Sequence, residues 1–253
     1  MAFLDIDDIA LHYTENGAGE PLVFLHGWGT SGRVWDAQLP EFVRDHRVIT
    51  LDWRGCGRSD HPARGNDHER VCADLLAVFD ALGIRAATLI GSSIGAAFST
   101  EFALRHPERV THLVAVDGPA YWGAEADLGE LRHRLATARA ATLAEWVPSW
   151  YAPGTAPALI DATERMILES GVFIDAHFDW LAGYDPRPAL PGLAVPVSYV
   201  HGALDPQIPL AVAEHCASLT PGARLRVIEQ AGHMPQLEQP AEFNATLRAL
   251  LEG

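Results

Sequence analysis

The sequence predicts an α/β protein: a mostly parallel sheet flanked by helices, with a helical segment inserted near its middle. Short apolar runs alternate with helical patterns from Pro21 to Val116. The alternation breaks off at Asp117 and resumes at Val195. The stretch between them, 118–187, carries nine of the 21 aromatic residues in under a third of the chain. Strands alternating with helices at this spacing form βαβ units, whose strands run parallel. A length of 253 residues suits one sizeable domain with an insertion.

The elements follow in chain order. Residues 3–14 alternate in polarity and predict a strand or hairpin. PLVFL at Pro21–Leu25 and RVITL at Arg47–Leu51 read as buried strands. Between them, Arg33 to Asp45 predicts a helix that Pro40 bends or shortens. From Asp67 to Leu82, Val71, Leu75, Val78 and Leu82 fall at helical spacing, and Gly83 ends the run. Ala86–Ile90 reads as a strand, Ile94–His106 as a helix stopped by Pro107, and Val110–Val116 as a further strand. After the insertion come a strand at Val195–Val200, a helix at Leu210–Leu219, a strand at Arg224–Ile228 and a helix at Pro240–Leu251. The expected organisation is a core of residues 1–117 and 188–253 with a helical lid at 118–187. Insertions of this kind sit over the C-terminal ends of the strands, where pockets form.

Composition removes whole classes of function. With 18 basic against 33 acidic residues, the net charge is −15. Such a surface repels nucleic acid and anionic membrane, so neither is an expected partner. Every basic residue is Arg, and the chain has no Lys. That excludes Schiff-base chemistry, pyridoxal phosphate attachment and a P-loop lysine. Cys56, Cys72 and Cys216 are odd in number and scattered, with no disulfide framework. The N-terminus shows no basic region followed by an apolar run, and no stretch suits a membrane span. A cytoplasmic location is expected. No metal is expected, because neither H-E-x-x-H nor a paired Cys–His spacing occurs. No cofactor is expected either.

Gly91-Ser92-Ser93-Ile94-Gly95 matches G-x-S-x-G. This composition alone yields the pattern in about one such chain in fifteen, so its context carries the argument. The motif lies where the strand Ala86–Ile90 hands over to the helix starting at Ile94. A serine on that tight turn presents its hydroxyl above the sheet. The ordinary alternative is a helix-capping serine at Ser92 or Ser93.

A serine hydroxyl needs a base, and the base needs an orienting acid. Asp205 follows the strand 195–200, and His233 follows the strand 224–228. Asp205 could equally cap the helix near Pro209, and His233 is one of twelve histidines. Three strand ends in the order Ser93, Asp205, His233 outweigh those separate readings. Asp117, ending the strand 110–116, is the rival acid. A histidine base must be neutral to take the serine proton, so activity is expected to fall toward acid. An oxyanion needs two fixed N–H donors, and those of Trp28 and Ile94 are the candidates. His26 is expected to bond loop backbone.

At these residues the chain resembles the α/β-hydrolase superfamily over essentially its whole length. The resemblance rests on His26-Gly27-Trp28, on Asp52-Trp53-Arg54-Gly55-Cys56-Gly57-Arg58-Ser59, on Gly91–Gly95, and on Asp205 and His233. It implies the α/β-hydrolase fold and a cofactor-free serine hydrolase of carboxylic esters or lactones. The D-x-R-G-x-G-x-S stretch would brace the loops beneath the site. Serine at the nucleophile position departs from dehalogenases and epoxide hydrolases of this fold. The missing lysine departs from hydroxynitrile lyases. Met234 after His233 departs from the carbon–carbon hydrolases, which usually carry Trp there.

The segments around Trp28 and at 65–67 resemble bacterial esterases of the non-haem chloroperoxidase group. Gly29 stands where those usually have Pro, which counts against perhydrolysis. The stretch His26–Thr30 with Trp35 also resembles regulatory members that sense a ligand and act through a protein partner. A third reading is that Gly27, Gly29 and Gly32, with Asp52 twenty residues on, spell a dinucleotide-binding fingerprint. The hydrolase residues would then be coincidence.

Lid aromatics are expected to wall the cleft above Ser93, facing Trp28. The candidates are Trp122, Trp146, Trp150 and Trp180. Such a cleft favours small, uncharged, partly apolar esters or lactones, unless Arg132 or Arg139 points inward.

Overall fold

The computed structural model describes residues 2–121 and 128–252. Its sheet comprises β1 (Ala2–Ile6), β2 (Ile9–Asn16), β3 (Glu20–Leu25), β4 (His46–Leu51), β5 (Ala87–Ser92), β6 (Val110–Val116), β7 (Val197–Gly202) and β8 (Arg224–Ile228). The strand order is β1-β2-β4-β3-β5-β6-β7-β8. From β4 to β8 every neighbouring pair is parallel, while β1–β2 and β2–β4 are antiparallel. The chain thus winds outward in both directions from β3, which lies between β4 and β5. That reversal of winding opens a crevice beyond the carboxyl ends of β3 and β5.

The apolar runs are continuous because the central strands are covered on both faces. In β3, Leu22 and Phe24 join one core with Val48, Ile90 and Val114. Val23 and Leu25 join the opposite core with Ile49, Leu89 and Leu113.

The flanking helices follow from local signals. In the segment after β3 a single 3₁₀ turn, Gly32–Trp35, precedes the short α1 (Leu39–Phe42). The one helix expected over 33–45 is therefore split. Pro40 has no N–H and tolerates only a first turn, so it starts α1 and cannot lie inside a longer helix. The helix α2 (His68–Ala81) is capped by Asp67, whose carboxylate accepts the Arg70 N–H at 2.8 Å. Gly83, at φ +64°, provides the left-handed residue just past its end. Next comes α3 (Ile94–Arg105), packed against β5 and β6.

Between β6 and β7 lie α4 (Leu128–Trp146), α5 (Pro157–Glu169) and α6 (His177–Gly183). Ala138 breaks the helical backbone of α4 at φ −148°. This segment is fastened to the core at several points. Ser170 Oγ–H donates to Gly29 O at 2.7 Å, and Gly171 N–H to Gly55 O at 2.8 Å. On the opposite side His233 N–H donates to Trp150 O at 2.7 Å. The chain closes with α7 (Leu210–Leu219), the short α8 (Pro235–Glu238) and α9 (Pro240–Glu252). Sequence periodicity missed α8, which is one turn long. Among the described residues no helix is long and apolar enough to cross a membrane.

Candidate active site

Three strand ends bring Ser93, Asp205 and His233 to one side of the sheet. Ser93 follows β5 at φ +56°, ψ −120°, a region that non-glycine residues rarely adopt. Its own N–H donates to Val116 O at 2.8 Å, tying the turn to β6. The flanking glycines allow this geometry. A Cβ on Gly95 would stand 2.6 Å from both Leu25 O and His26 O, and one on Gly91 would overlap Gly95 O. The serine is thus held on a sharp turn between strand and helix, and no side chain reaches back from it to cap α3.

Asp205 and His233 meet directly. His233 Nδ1–H donates to Asp205 Oδ2 at 2.7 Å, and both side chains are buried. The other oxygen of Asp205 accepts the N–H groups of Gln207 at 2.7 Å and Ile208 at 3.1 Å. Burial pushes the Asp205 carboxyl up. The charge and hydrogen bond of His233, with the Ile208 N–H, outweigh that and hold it below the ordinary carboxylate range.

Asp117, the rival acid, does not contact His233 in this way. It is fully buried, and its Oδ1 accepts the Gly202 N–H at 2.9 Å. Burial, and then the charge of Asp205, push its carboxyl well above the ordinary range. Burial and the neighbouring Asp205 carboxylate thus favour the protonated form of Asp117.

Ser93 and His233 open onto a cavity of about 210 Å³. Trp28, Trp146, Trp150 and Phe178 wall it, with Leu131 and Leu181. Their rings interlock: Trp28 lies 5.0 Å from Phe178 and 5.6 Å from Trp146, and Trp146 lies 5.0 Å from Trp150. Trp28 and Ile94 both border the cavity beside Ser93. A Cβ on Gly27 would stand 3.4 Å from that of Ser93, so the loop after β3 passes directly beside the serine.

Two of the four tryptophans expected to wall the cleft from 118–187, Trp146 and Trp150, therefore reach the cavity. Trp180 does not line it. It stacks on His68 at 4.4 Å and on Phe98 at 5.6 Å, covering α2 and α3. The expectation for Trp180 is corrected accordingly: α6 turns Phe178 inward, and Trp180, two residues on, points to another side. Trp122 lies outside the described residues. Phe178, Gln207 and Met234 border the cavity but escaped sequence reasoning, because no motif or spacing distinguishes them.

Arg132 and Arg139 also face away from the serine. They line a separate groove with Arg64 and are paired with Asp179 and Asp175 respectively. Arg139 lies over the outer face of this wall, 5.4 Å from the Trp28 ring.

The glycine pattern after β3 serves the loops. Gly32 begins a single 3₁₀ turn in place of the long helix a dinucleotide fold needs. The Asp52 carboxylate is occupied by Gly32 N–H at 2.6 Å, Arg58 N–H at 3.0 Å and His12 Nδ1–H at 2.9 Å. No acceptor is left pointing at a ribose. Arg54, fully buried, forks onto Asp74 at 2.5 and 3.0 Å and donates to Gly65 O at 3.0 Å. His26 Nδ1–H donates to Gly27 O at 2.8 Å, and burial lowers its pKa to about 4. It is a neutral, structural histidine.

One cluster among the described residues has metal-ligand composition: Asp117, His201 and Asp205, whose ligating atoms lie within 4.8 Å of one another. His201 Nε2–H donates to Ile208 O at 2.8 Å, and Asp205 Oδ2 accepts from His233. His201 Nδ1 and Asp117 Oδ2 have no hydrogen-bond partner.

Residues 22–246 match the alpha/beta hydrolase family. The chain belongs to that family. It is 29% identical to the pimeloyl-[acyl-carrier protein] methyl ester esterase of Aliivibrio fischeri strain MJ11, over 96% of this chain and 97% of that protein. It is 28% identical to 3-oxoadipate enol-lactonase 2 of Acinetobacter baylyi, over 98% and 96% of the two chains. Among solved structures, an esterase from Exiguobacterium antarcticum superposes with a TM-score of 0.93 at 24% identity, covering 99% of each chain. That likeness speaks for the fold. With these relatives the chain is a hydrolase.

Proposed function

We propose that this hydrolase cleaves small, uncharged, partly apolar carboxylic esters or lactones through Ser93, His233 and Asp205. The observation that carries the reading is a strained, cavity-facing Ser93 beside a His233 whose Nδ1–H is held 2.7 Å from Asp205. With Nδ1 donating to Asp205, the lone pair of His233 stands on Nε2, the nitrogen free to take a proton. Ser93 Oγ attacks the carbonyl carbon while Nε2 takes its proton. The imidazolium then gives that proton to the departing alkoxide. Water, activated by the same imidazole, attacks the acyl-enzyme and releases the acid. Asp205 keeps the tautomer and stabilises the imidazolium. The N–H of Ile94, at the start of α3, and that of Trp28 are assigned to the oxyanion.

Residues 118–187 act in this reading as a lid that supplies Trp146, Trp150 and Phe178 to the cavity. Apolar substrate atoms buried there contribute about 25 cal/mol per Å². Among the described lining residues no side chain but His233 carries a titratable charge. Acid substrates are disfavoured, since the lid arginines face another groove. The reading includes a reducing compartment, which suits the free, buried Cys56, Cys72 and Cys216.

A fluorophosphonate should label Ser93, and Ser93→Ala should abolish both labelling and hydrolysis of p-nitrophenyl esters graded in acyl length. Full hydrolysis by Ser93→Ala would overturn the reading. Lactones run beside the esters decide between the two substrate classes.

A further inference from the structure

We infer that Glu238 is a positioning residue that clamps the His233 loop to the lid, so that the lid helps set where the base stands. The inference rests on the assignment of His233 as base. Glu238 ends α8, five residues after His233. Its Oε1 accepts the N–H groups of Gly232 at 3.0 Å and Met234 at 3.1 Å, one on each side of the histidine. Its Oε2 accepts the Ala152 N–H at 2.7 Å and lies 3.2 Å from Thr155 Oγ, whose one proton is shared between this oxygen and Ala152 O at 2.9 Å; both residues stand between α4 and α5. One carboxylate therefore joins two chain segments more than 75 residues apart, one oxygen to each.

Two further observations show how closely these segments are fitted. His233 N–H itself donates to Trp150 O at 2.7 Å. A Cβ on Gly232 would stand 2.6 Å from Trp150 O and 2.7 Å from Ala152 N, so only glycine lets the lid backbone lie there. The histidine loop thus has N–H groups at three successive residues, 232 to 234, tied to the lid or to the Glu238 clamp.

The consequence is geometric. His233 is reached by Asp205 through its ring, but the position of its backbone is set by Glu238 and Trp150. Trp150 is also a wall of the cavity, so the residue that holds the base in place also holds part of the acyl pocket. A carboxylate accepting three backbone N–H groups, with the Thr155 hydroxyl beside it, is hard to replace, because a neutral amide presents only one oxygen. Glu238→Gln keeps an acceptor for one half of the clamp and sets an N–H₂ against donors on the other. Displacement of a catalytic group by a fraction of an ångström is costly in rate.

The test compares wild type, Glu238→Ala, Glu238→Gln and Thr155→Val, with turnover expressed per Ser93 titrated by a fluorophosphonate. With p-nitrophenyl acetate, Glu238→Ala is expected to lose about tenfold or more in kcat per titrated site, with KM little changed. Glu238→Gln is expected to lose less, and Thr155→Val least. The kcat/KM ratio of butyrate to acetate is expected to shift in Glu238→Ala, because Trp150 loses its anchor.

A role confined to folding would lower Tm and the titratable fraction while leaving kcat per site unchanged. A kcat per site within twofold of wild type in folded Glu238→Ala would overturn the inference. An unchanged chain-length ratio would overturn its lid half. Should Glu238→Ala not fold, Glu238→Gln decides by the same twofold limit. His233→Ala is run alongside. Its retaining activity would remove the assignment of the base, an outcome separate from anything the Glu238 variants show.

Discussion

The loops at the strand ends and the helical segment between β6 and β7 build the same cavity by different means. The loop residues are locked by backbone geometry and by buried charge-assisted bonds. Ser93 sits at φ +56°, Gly95 is pressed against two carbonyls, and Asp52 and Arg54 fasten the loops beneath. The helical segment is held by packing of large rings and by a few latches such as Ser170 to Gly29. Change in the first region should therefore act on chemistry or foldedness. Change in the second should act on substrate preference. Rigid loops can hold reacting atoms to fractions of an ångström, whereas a wall of aromatic rings tolerates repacking.

The largest effects would test the loop side of this contrast. Ser93→Ala is expected to remove nearly all turnover, and Asp205→Asn to lower kcat on the order of 10⁴-fold. Asp117→Asn should stay within a few-fold of wild type, because burial favours the neutral carboxyl and amide and acid are nearly isosteric. Steady-state kinetics of the three variants checks this. An inactive Asp117→Asn with an active Asp205→Asn would reverse the two assignments.

Next in size is a purely structural break. Arg54→Ala removes both hydrogen bonds to the buried Asp74, leaving it the Arg70 guanidinium at 3.3 Å, and should cost up to about 3–5 kcal/mol of stability. Chemical denaturation measures it. A loss below about 1 kcal/mol would show that the bracing reading is wrong.

On the lid side, Trp146→Ala and Phe178→Ala should raise KM for longer acyl esters about tenfold and leave acetate chemistry nearly intact. Trp180→Ala should lower Tm without altering chain-length preference, since it packs on His68 and Phe98. A shifted preference in Trp180→Ala alone would move the cavity wall elsewhere.

A last test is the pH dependence of stability. Burial lowers His26, His112 and His177 from 6.5 to about 4. The unfolded chain binds protons at these sites through that window while the folded chain refuses them. Stability is thus fully present above pH 6.5 and declines as pH falls toward about 4. His177→Leu, at a site where neither ring nitrogen has a hydrogen-bond partner, should flatten the decline. Tm measured across this window would refute the account if it stayed level.

Most of the sheet was legible because β3 to β7 are short apolar runs bounded by turn residues. The placement of Ser93, Asp205 and His233 after β5, β7 and β8 was legible because each follows a run read as a strand. In the segment 33–45, where a helix bent or shortened at Pro40 was expected, the missing N–H of Pro40 leaves a 3₁₀ turn and the one-turn α1. Trp180 was misassigned because aromatic content carries no direction.

Sequence alone determined the strand alternation, the absence of lysine chemistry and the identity of the residues at the strand ends. These follow from local covalent facts: side-chain type, spacing along one element, and the backbone freedom of glycine. Only the tertiary structure decided that Asp205 and not Asp117 meets His233, that Phe178 faces the cavity while Trp180 turns away, and that Glu238 joins the His233 loop to the segment between α4 and α5. Each of those contacts links residues distant in the chain. Their pairing depends on helix rotation and loop path, which residue type and spacing leave open.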